Sequence, residues 1–469
     1  MSDAKEKTRA EQLREELCRP QKHASELLSA EELAAADAFC EGYKAFLDQC
    51  KTERECVDYY VKKAEERGFR PFEDGKEYAP GDKLILNNRG KALILAVMGK
   101  RDLAEGVRLA AAHIDSPRLD LKPAPLYEEK QLGLLKTHYY GGIKKYQWAA
   151  IPLALHGVVI RRDGTRLSVA IGEAPEDPRF CVTDLLPHLA QEQMQRSLAK
   201  GIQGEELNII VGSRPLMMDG KSEGVKLALL QLLNERYGLV EADLLSAELE
   251  AVPAFPACDI GLDRSLVGAY GQDDRVCAYP CAEAILDCGS PEYTAVVVLA
   301  DKEEIGSCGN TGLETNYLQD FLTELALARG ANPRTMLRHS KCLSADVNAG
   351  FDPTFPGVMD QHNASFLNRG VVLTKYTGSR GKSGSSDASA EFVHWFRRLL
   401  DDNGVLWQVG ELGKVDEGGG GTVAADLARL NLDVVDLGVP VLSMHAPFEL
   451  AAKTDIAMLR KACGAFFSA

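Results

Sequence analysis

Val296-Val297-Val298-Leu299-Ala300-Asp301-Lys302-Glu303-Glu304-Ile305-Gly306-Ser307 is the stretch on which the reading of this chain turns. Its first half is an apolar, β-branched run, which predicts a buried strand. The run stops at two adjacent glutamates and a turn-prone Gly-Ser pair. Carboxylates delivered to the C-terminal end of a strand stand where α/β proteins do chemistry. One can bind a cation while its neighbour moves a proton. The plainer alternative is a solvated charged loop after a core strand. Other apolar runs in the chain help to choose between the two.

Several of them end in the same way. His113 follows a strand predicted at 107–112, Asp346 follows one at 341–345, and His445 follows 441–444. Asp273 opens a predicted helix. Strand C-termini of a parallel sheet share one edge, so His113, Asp273, Glu303, Glu304, Asp346 and His445 can converge from five separate segments. Two histidines with several carboxylates are a borderline-to-hard donor set, suited to Zn²⁺, Co²⁺ or Mn²⁺. A pair of such ions needs one bridging carboxylate, and a carboxylate left free can take a proton from water. Singly, each residue has a plainer role: a hydrogen-bonded strand-end histidine, helix N-caps at Asp273 and Asp274, a turn residue at Asp346. Asp115, two residues after His113, is placed to orient the second ring nitrogen of that histidine. Lys375, at the end of a strand predicted at 371–376, is a candidate to contact a substrate carbonyl or carboxylate. The glycine run 418–421 lacks the Lys-Ser/Thr of a phosphate loop and the spacing of a dinucleotide fingerprint, and reads as a tight loop near the cleft.

The bulk properties narrow the class. At 469 residues the chain is expected to form two or three domains. Its 54 basic and 69 acidic side chains give a net charge of −15, which argues against nucleic acid and anionic membranes as partners and suits divalent cations. Twelve cysteines without a Cys-x-x-Cys pair read as small buried residues of a reducing compartment. The charged start, Met1 to Lys7, is no signal peptide, and no apolar run is long enough to span a bilayer. A cytoplasmic protein is expected.

The fold class expected is α/β: a mixed, largely parallel sheet flanked by helices. The first seventy residues read as helical, with capping boxes at Ser29-x-x-Glu32 and Thr52-x-x-Glu55. Residues 125–262 change texture, with short strands, Lys/Gln-rich turns and one helical stretch at 184–198. They read as an insertion dividing a catalytic domain of residues 1–124 and 263–469.

These residues resemble the M18 family of metalloaminopeptidases, the group of aminopeptidase I and aspartyl aminopeptidase. The motifs are His113-Ile114-Asp115-Ser116-Pro117-Arg118-Leu119, Gln272-Asp273-Asp274-Arg275, Asp301 to Ser307, Ser344-Ala345-Asp346 and Ser443-Met444-His445. They stand in the family's order and span essentially the whole chain. Lys122-Pro123 and Tyr140-Gly141-Gly142-Ile143-Lys144-Lys145-Tyr146 resemble its bacterial aminopeptidase I branch. The resemblance implies two divalent ions, zinc foremost: His113 and Asp346 on one, Glu304 and His445 on the other, Asp273 bridging. It implies Glu303 as general base, Asp115 as the partner of His113, and an inserted β-rich dimerisation domain at 125–262. It also implies a homo-oligomer, a dodecamer in the family, in which His188 reaches a neighbouring subunit's active site. The substrates implied are peptides with a free N-terminus. In aspartyl aminopeptidases a histidine-containing segment follows Ser-Ala-Asp. Here Val347-Asn348-Ala349-Gly350-Phe351-Asp352-Pro353 holds none, which favours neutral or hydrophobic N-terminal residues over Asp or Glu. Two other readings are a deacylase or carboxypeptidase on the same scaffold, and a non-enzymatic assembly protein, which the complete ligand set disfavours.

Overall fold

The structure, a computed structural model, describes residues 7–19, 22–216 and 223–469. The charged start at 1–6 lies outside the described residues. The Ala295–Ala300 strand owes its place to burial on both faces. Val297 and Leu299 face one apolar core, while Val296, Val298 and Ala300 face another. A strand coated by helices on both sides has no polar face, so it reads as a continuous apolar run. It sits inside a nine-stranded sheet ordered Arg70–Pro71, Lys83–Asn88, Ala92–Val97, Ala295–Ala300, Arg108–His113, Lys341–Ser344, Asp433–Gly438, Val371–Thr374 and Trp407–Val409. The four strands from Ala295–Ala300 to Asp433–Gly438 are mutually parallel, and antiparallel pairs occur on both sides of them.

Both predicted capping boxes form. Ser29 caps Ala30–Gln49 and Thr52 caps Glu53–Glu66, each with reciprocal bonds to the glutamate three residues on. Phe46 and Tyr60 from these helices pack with Tyr279 in the core beneath the sheet.

After His113 the chain leaves the central sheet through Ser116-Pro117. It enters a seven-stranded antiparallel sheet whose strands run from Arg118 to Pro253. The single helix expected at 184–198 is not formed there. The chain makes short turns at Pro187–Leu189 and Leu198–Lys200 around a five-residue helix, Gln191–Gln195. Pro187 cannot continue a helix, and the apolar residues that suggested one, such as Leu189 and Met194, remain 70% and 73% exposed.

A third, five-stranded sheet is ordered Cys258–Ile260, Leu266–Ala269, Glu449–Ala452, Pro440–Leu442, Asn348–Ala349. This corrects the expectation that His445 ends a strand of the same sheet as His113, the glutamates and Asp346. Gly438 closes the central-sheet strand, where a side chain would meet the carbonyl of Asp346. Pro440 has no N–H with which to extend that ladder. The chain therefore crosses to the smaller sheet before reaching His445. No described helix is long and apolar enough to cross a membrane.

Candidate metal centre

Each candidate residue sits at or beside the end of a regular element. His113 is the last residue of its strand and is buried. Glu303 and Glu304 form a short 3₁₀ turn held between Lys302 and Gly306, both with positive φ. Asp346 follows Lys341–Ser344. Asp273 lies in the first turn of Gln272–Leu286, where Asp273 and Asp274 depart from helical angles and are joined by a cis peptide bond. His445, at φ 63°, follows Pro440–Leu442.

These residues meet at one point. His113 Nε2 lies 3.2 Å from Asp273 Oδ1, 3.8 Å from Glu303 and 4.0 Å from Asp346. His445 Nε2 lies 3.1 Å from Asp273 Oδ2 and 3.6 Å from Glu304 Oε1. Two triads result, His113–Asp273–Asp346 and Asp273–Glu304–His445, each with its donor atoms within 4.8 Å of one another. Asp273 belongs to both and presents a different oxygen to each histidine. Glu303 stands beside the first triad and belongs to neither.

The electrostatics are those of a site short of positive charge. Burial pushes Glu304, Asp346 and Asp274 well above the usual carboxylate range. Burial, opposed by His113 and reinforced by Asp115 and Asp273, pushes Glu303 up to about 7. Burial disfavours a charged His113, yet its contacts with Asp115 and Asp273 hold it well above the ordinary histidine value. Glu304 Oε1 is buried without a hydrogen bond. Crowded carboxylates, two histidines and an unpaired buried oxygen are the donor set that divalent cations complete.

The surrounding shell joins Asp115, which the sequence placed beside His113, to two residues it gave no part in the site, Asp274 and Glu449. Asp274 Oδ2 accepts the peptide N–H of His113 at 3.2 Å. Buried Glu449 accepts three amides: His445 N–H at 2.7 Å, Gln272 N–H at 2.6 Å and Asp273 N–H at 3.1 Å. The available signal was an acidic residue opening an otherwise apolar strand, Glu449–Ala452, four positions past His445. Asp115 Oδ1 stands 3.3 Å from His113 Nδ1, and its carboxylate accepts the amides of Glu303 and Glu304.

The cluster opens into a cleft of about 400 Å³, lined also by Val347, Asn348, Thr374, Leu412 and Met444 and by the glycines 419–421. No lysine or arginine lines it among the described residues. Thr374 reaches the cleft, but Lys375 pairs with Asp387 at 2.8 Å and is not among the residues lining it. His188 sits on the exposed turn Pro187–Leu189 and is not among the residues lining the cleft of its own chain.

The family model described as aminopeptidase I zinc metalloprotease (M18) matches residues 46–467. A probable M18 family aminopeptidase 1 of Clostridium acetobutylicum is 46% identical over 461 residues, covering 97% of this chain and 99% of the relative. The crystal structure of an M18-family aminopeptidase from Thermotoga maritima superposes with a TM-score of 0.92 at 44% identity, covering 96% of this chain and 99% of that one. That of aminopeptidase I from Clostridium acetobutylicum gives 0.90 at 45% identity, covering 97% and 100%.

Proposed function

Since the chain belongs to the M18 family of zinc metallopeptidases, hydrolases that act at peptide N-termini, we propose that it is a two-metal aminopeptidase taking neutral or hydrophobic N-terminal residues. The observation that carries this reading is the pair of triads sharing Asp273, with Glu303 free beside them. In it, His113 and Asp346 would hold one divalent ion and Glu304 and His445 the other, with Asp273 common to both triads. Zinc suits this donor set, with Co²⁺ or Mn²⁺ as substitutes. When bound, the ions supply Lewis acidity toward the scissile carbonyl and acidify a water. Glu303, outside both triads, is the carboxylate that would take a proton from the attacking water and return it to the leaving amine. Asp115 fixes the ring of His113, and Asp274 and Glu449 hold the peptide groups around it.

Specificity follows from the cleft walls. With no lysine or arginine among the described lining residues, an N-terminal Asp or Glu would find no such side chain of its own subunit in the cleft. Leu412, Met444 and Val347 offer apolar contact instead. The aspartyl aminopeptidase alternative needs a cation such as Lys375, which Asp387 engages.

The same reading divides the chain into a catalytic domain, 1–124 and 263–469, and an inserted dimerisation domain, 125–262. Exposed Leu185, Leu186, Leu189, Met194 and Leu198 around His188 support a homo-oligomer, a dodecamer on the family's pattern. Light scattering on the purified chain tests this, and a monomer would contradict it. The acidic balance and twelve unpaired cysteines support a cytoplasmic setting.

Replacing Glu303 by Gln is expected to cut turnover by about 10²–10⁴-fold. Bound metal, counted by elemental analysis, is expected to stay at the wild-type level. Near-normal turnover in this variant would remove Glu303 as the base.

A further inference from the structure

We propose that Tyr140 is a positioning residue for the Glu303–Glu304 turn, acting through Asp115; the proposal rests on the two-metal reading of the cluster. Tyr140 ends the strand Leu132–Tyr140 of the seven-stranded sheet, so it comes from a different sheet than the strands that deliver His113 and the glutamates. Its side chain is 8% exposed. The Arg118 guanidinium lies over its ring, 3.9 Å from the centroid, and Arg118 is itself held by Glu53 and Glu250 at 3.2 Å each. The hydroxyl donates to Asp115 Oδ2 at 2.8 Å.

That contact matters because of what else Asp115 holds. The same Oδ2 accepts the amide of Glu304 at 3.2 Å. Oδ1 accepts the amide of Glu303 at 3.2 Å and stands 3.3 Å from His113 Nδ1. Asp115 thus holds the ring of a candidate ligand, through its backbone carbonyl oxygen 3.0 Å from His113 Nδ1 with Oδ1 beside it, and through its fully buried carboxylate the peptide groups that aim both the base and a second ligand. A carboxylate turns about its Cβ–Cγ bond, so its plane must be pinned for both oxygens to serve at once. The tyrosine hydroxyl is a donor to that group from outside the catalytic strands. Partners of this kind set the orientation and basicity of metal-binding histidines.

The two residues after Tyr140 extend the support to the other triad. The Gly142 carbonyl oxygen lies 2.8 Å from His445 Nδ1. Gly141, at φ +74°, passes so close that a Cβ would stand 3.2 Å from Glu304 Oε2. Tyr140 touches no reacting atom; it sets where other groups stand.

The test compares wild type with Tyr140→Phe and with Tyr139→Phe, whose ring is 39% exposed on the neighbouring position. Each protein is stripped of metal and titrated with Co²⁺, followed by visible absorption; kcat, KM and Tm are measured on the reloaded enzyme. Tyr140→Phe keeps the ring over Arg118 and removes only the donor. The proposal expects kcat at least about 10-fold lower with KM within about twofold, and Co²⁺ affinity weakened by about 10-fold or more. Tyr139→Phe is expected to match wild type in both. Wild-type kcat and Co²⁺ affinity in Tyr140→Phe overturn the proposal, whatever its Tm, and so do equal losses in the two variants. Should the wild type bind Co²⁺ yet cleave no aminoacyl substrate, the proposed function fails, while the Co²⁺ titration still decides on Tyr140.

Discussion

Asp273 and Glu449 divide the labour of the site between direct contact and support. Asp273 offers one oxygen to each histidine, which only a residue at the meeting point of both triads can do. Glu449 lies behind it and takes the amides of Gln272, Asp273 and His445. A buried amide left without an acceptor costs about 1–3 kcal/mol. Glu449→Gln turns one acceptor oxygen into a donor facing those amides. The variant is expected to melt lower and to lose at least about 10-fold in turnover, as outer-shell changes at metal sites do. Unchanged melting and turnover in Glu449→Gln would show that the amides find other partners. The six candidate ligand and base residues were legible in the sequence because each interrupts or follows an apolar run. Glu449 was not: an acidic residue opening an apolar strand was its only trace, and two of the three amides it accepts lie more than 170 positions away. The different jobs of Glu303 and Glu304 were not legible from adjacency either. The turn supports the proposed division by directing Glu304 toward His445 and Glu303 toward His113.

Among the elements, the capped helix Glu53–Glu66 ties the two large sheets together. Glu55 closes the capping box with one oxygen and holds His156 of the seven-stranded sheet with the other, at 2.8 Å. The second nitrogen of His156 meets Glu173 at 2.9 Å. The capping box was readable from Thr52-x-x-Glu55; the second use of Glu55 was not, since it depends on a strand a hundred residues later. Burial disfavours the imidazolium, but the two carboxylates outweigh it and raise His156 to about 9, against an ordinary 6.5. A folded-state pKa raised above the unfolded one stabilises the fold fully below about pH 6.5. That contribution fades as the pH climbs through about 9. His156→Ala is therefore expected to destabilise the protein by about 3–5 kcal/mol in mildly acidic buffer, as removing one partner of a buried ion pair does. The Tm gap from wild type is expected to narrow steadily between pH 6.5 and 9.5. A gap that stays constant or widens over that range would mean that His156 is not held as a cation. The helix expected at 184–198 shows the opposite case. Its leucines repeat at helical spacing but stay exposed, so no buried face stabilises a long helix there.

For the whole molecule, the alternation of strands and helices was enough to read the α/β class and the parallel centre of the sheet. The switch of the chain to a third sheet between Gly438 and Pro440 was hidden, because both segments are equally apolar. That switch is what brings His445 opposite His113 with Asp273 between them. The molecule as a whole thus supplies two donor triads, a free carboxylate and a cleft without lysine or arginine among its described lining residues. The measurement that tests this account most directly is reconstitution of chelator-stripped protein with Zn²⁺, Co²⁺ or Mn²⁺, assayed on leucyl and aspartyl chromogenic substrates and on N-acetyl-leucyl controls. Two ions at this site require no activity without metal and recovery that levels off at about two ions per chain. Faster turnover of leucyl than aspartyl substrate is also expected, and none of the acetylated one. Activity that survives metal removal, saturation at a single ion, or cleavage of the N-acetylated substrate would contradict the two-metal aminopeptidase reading.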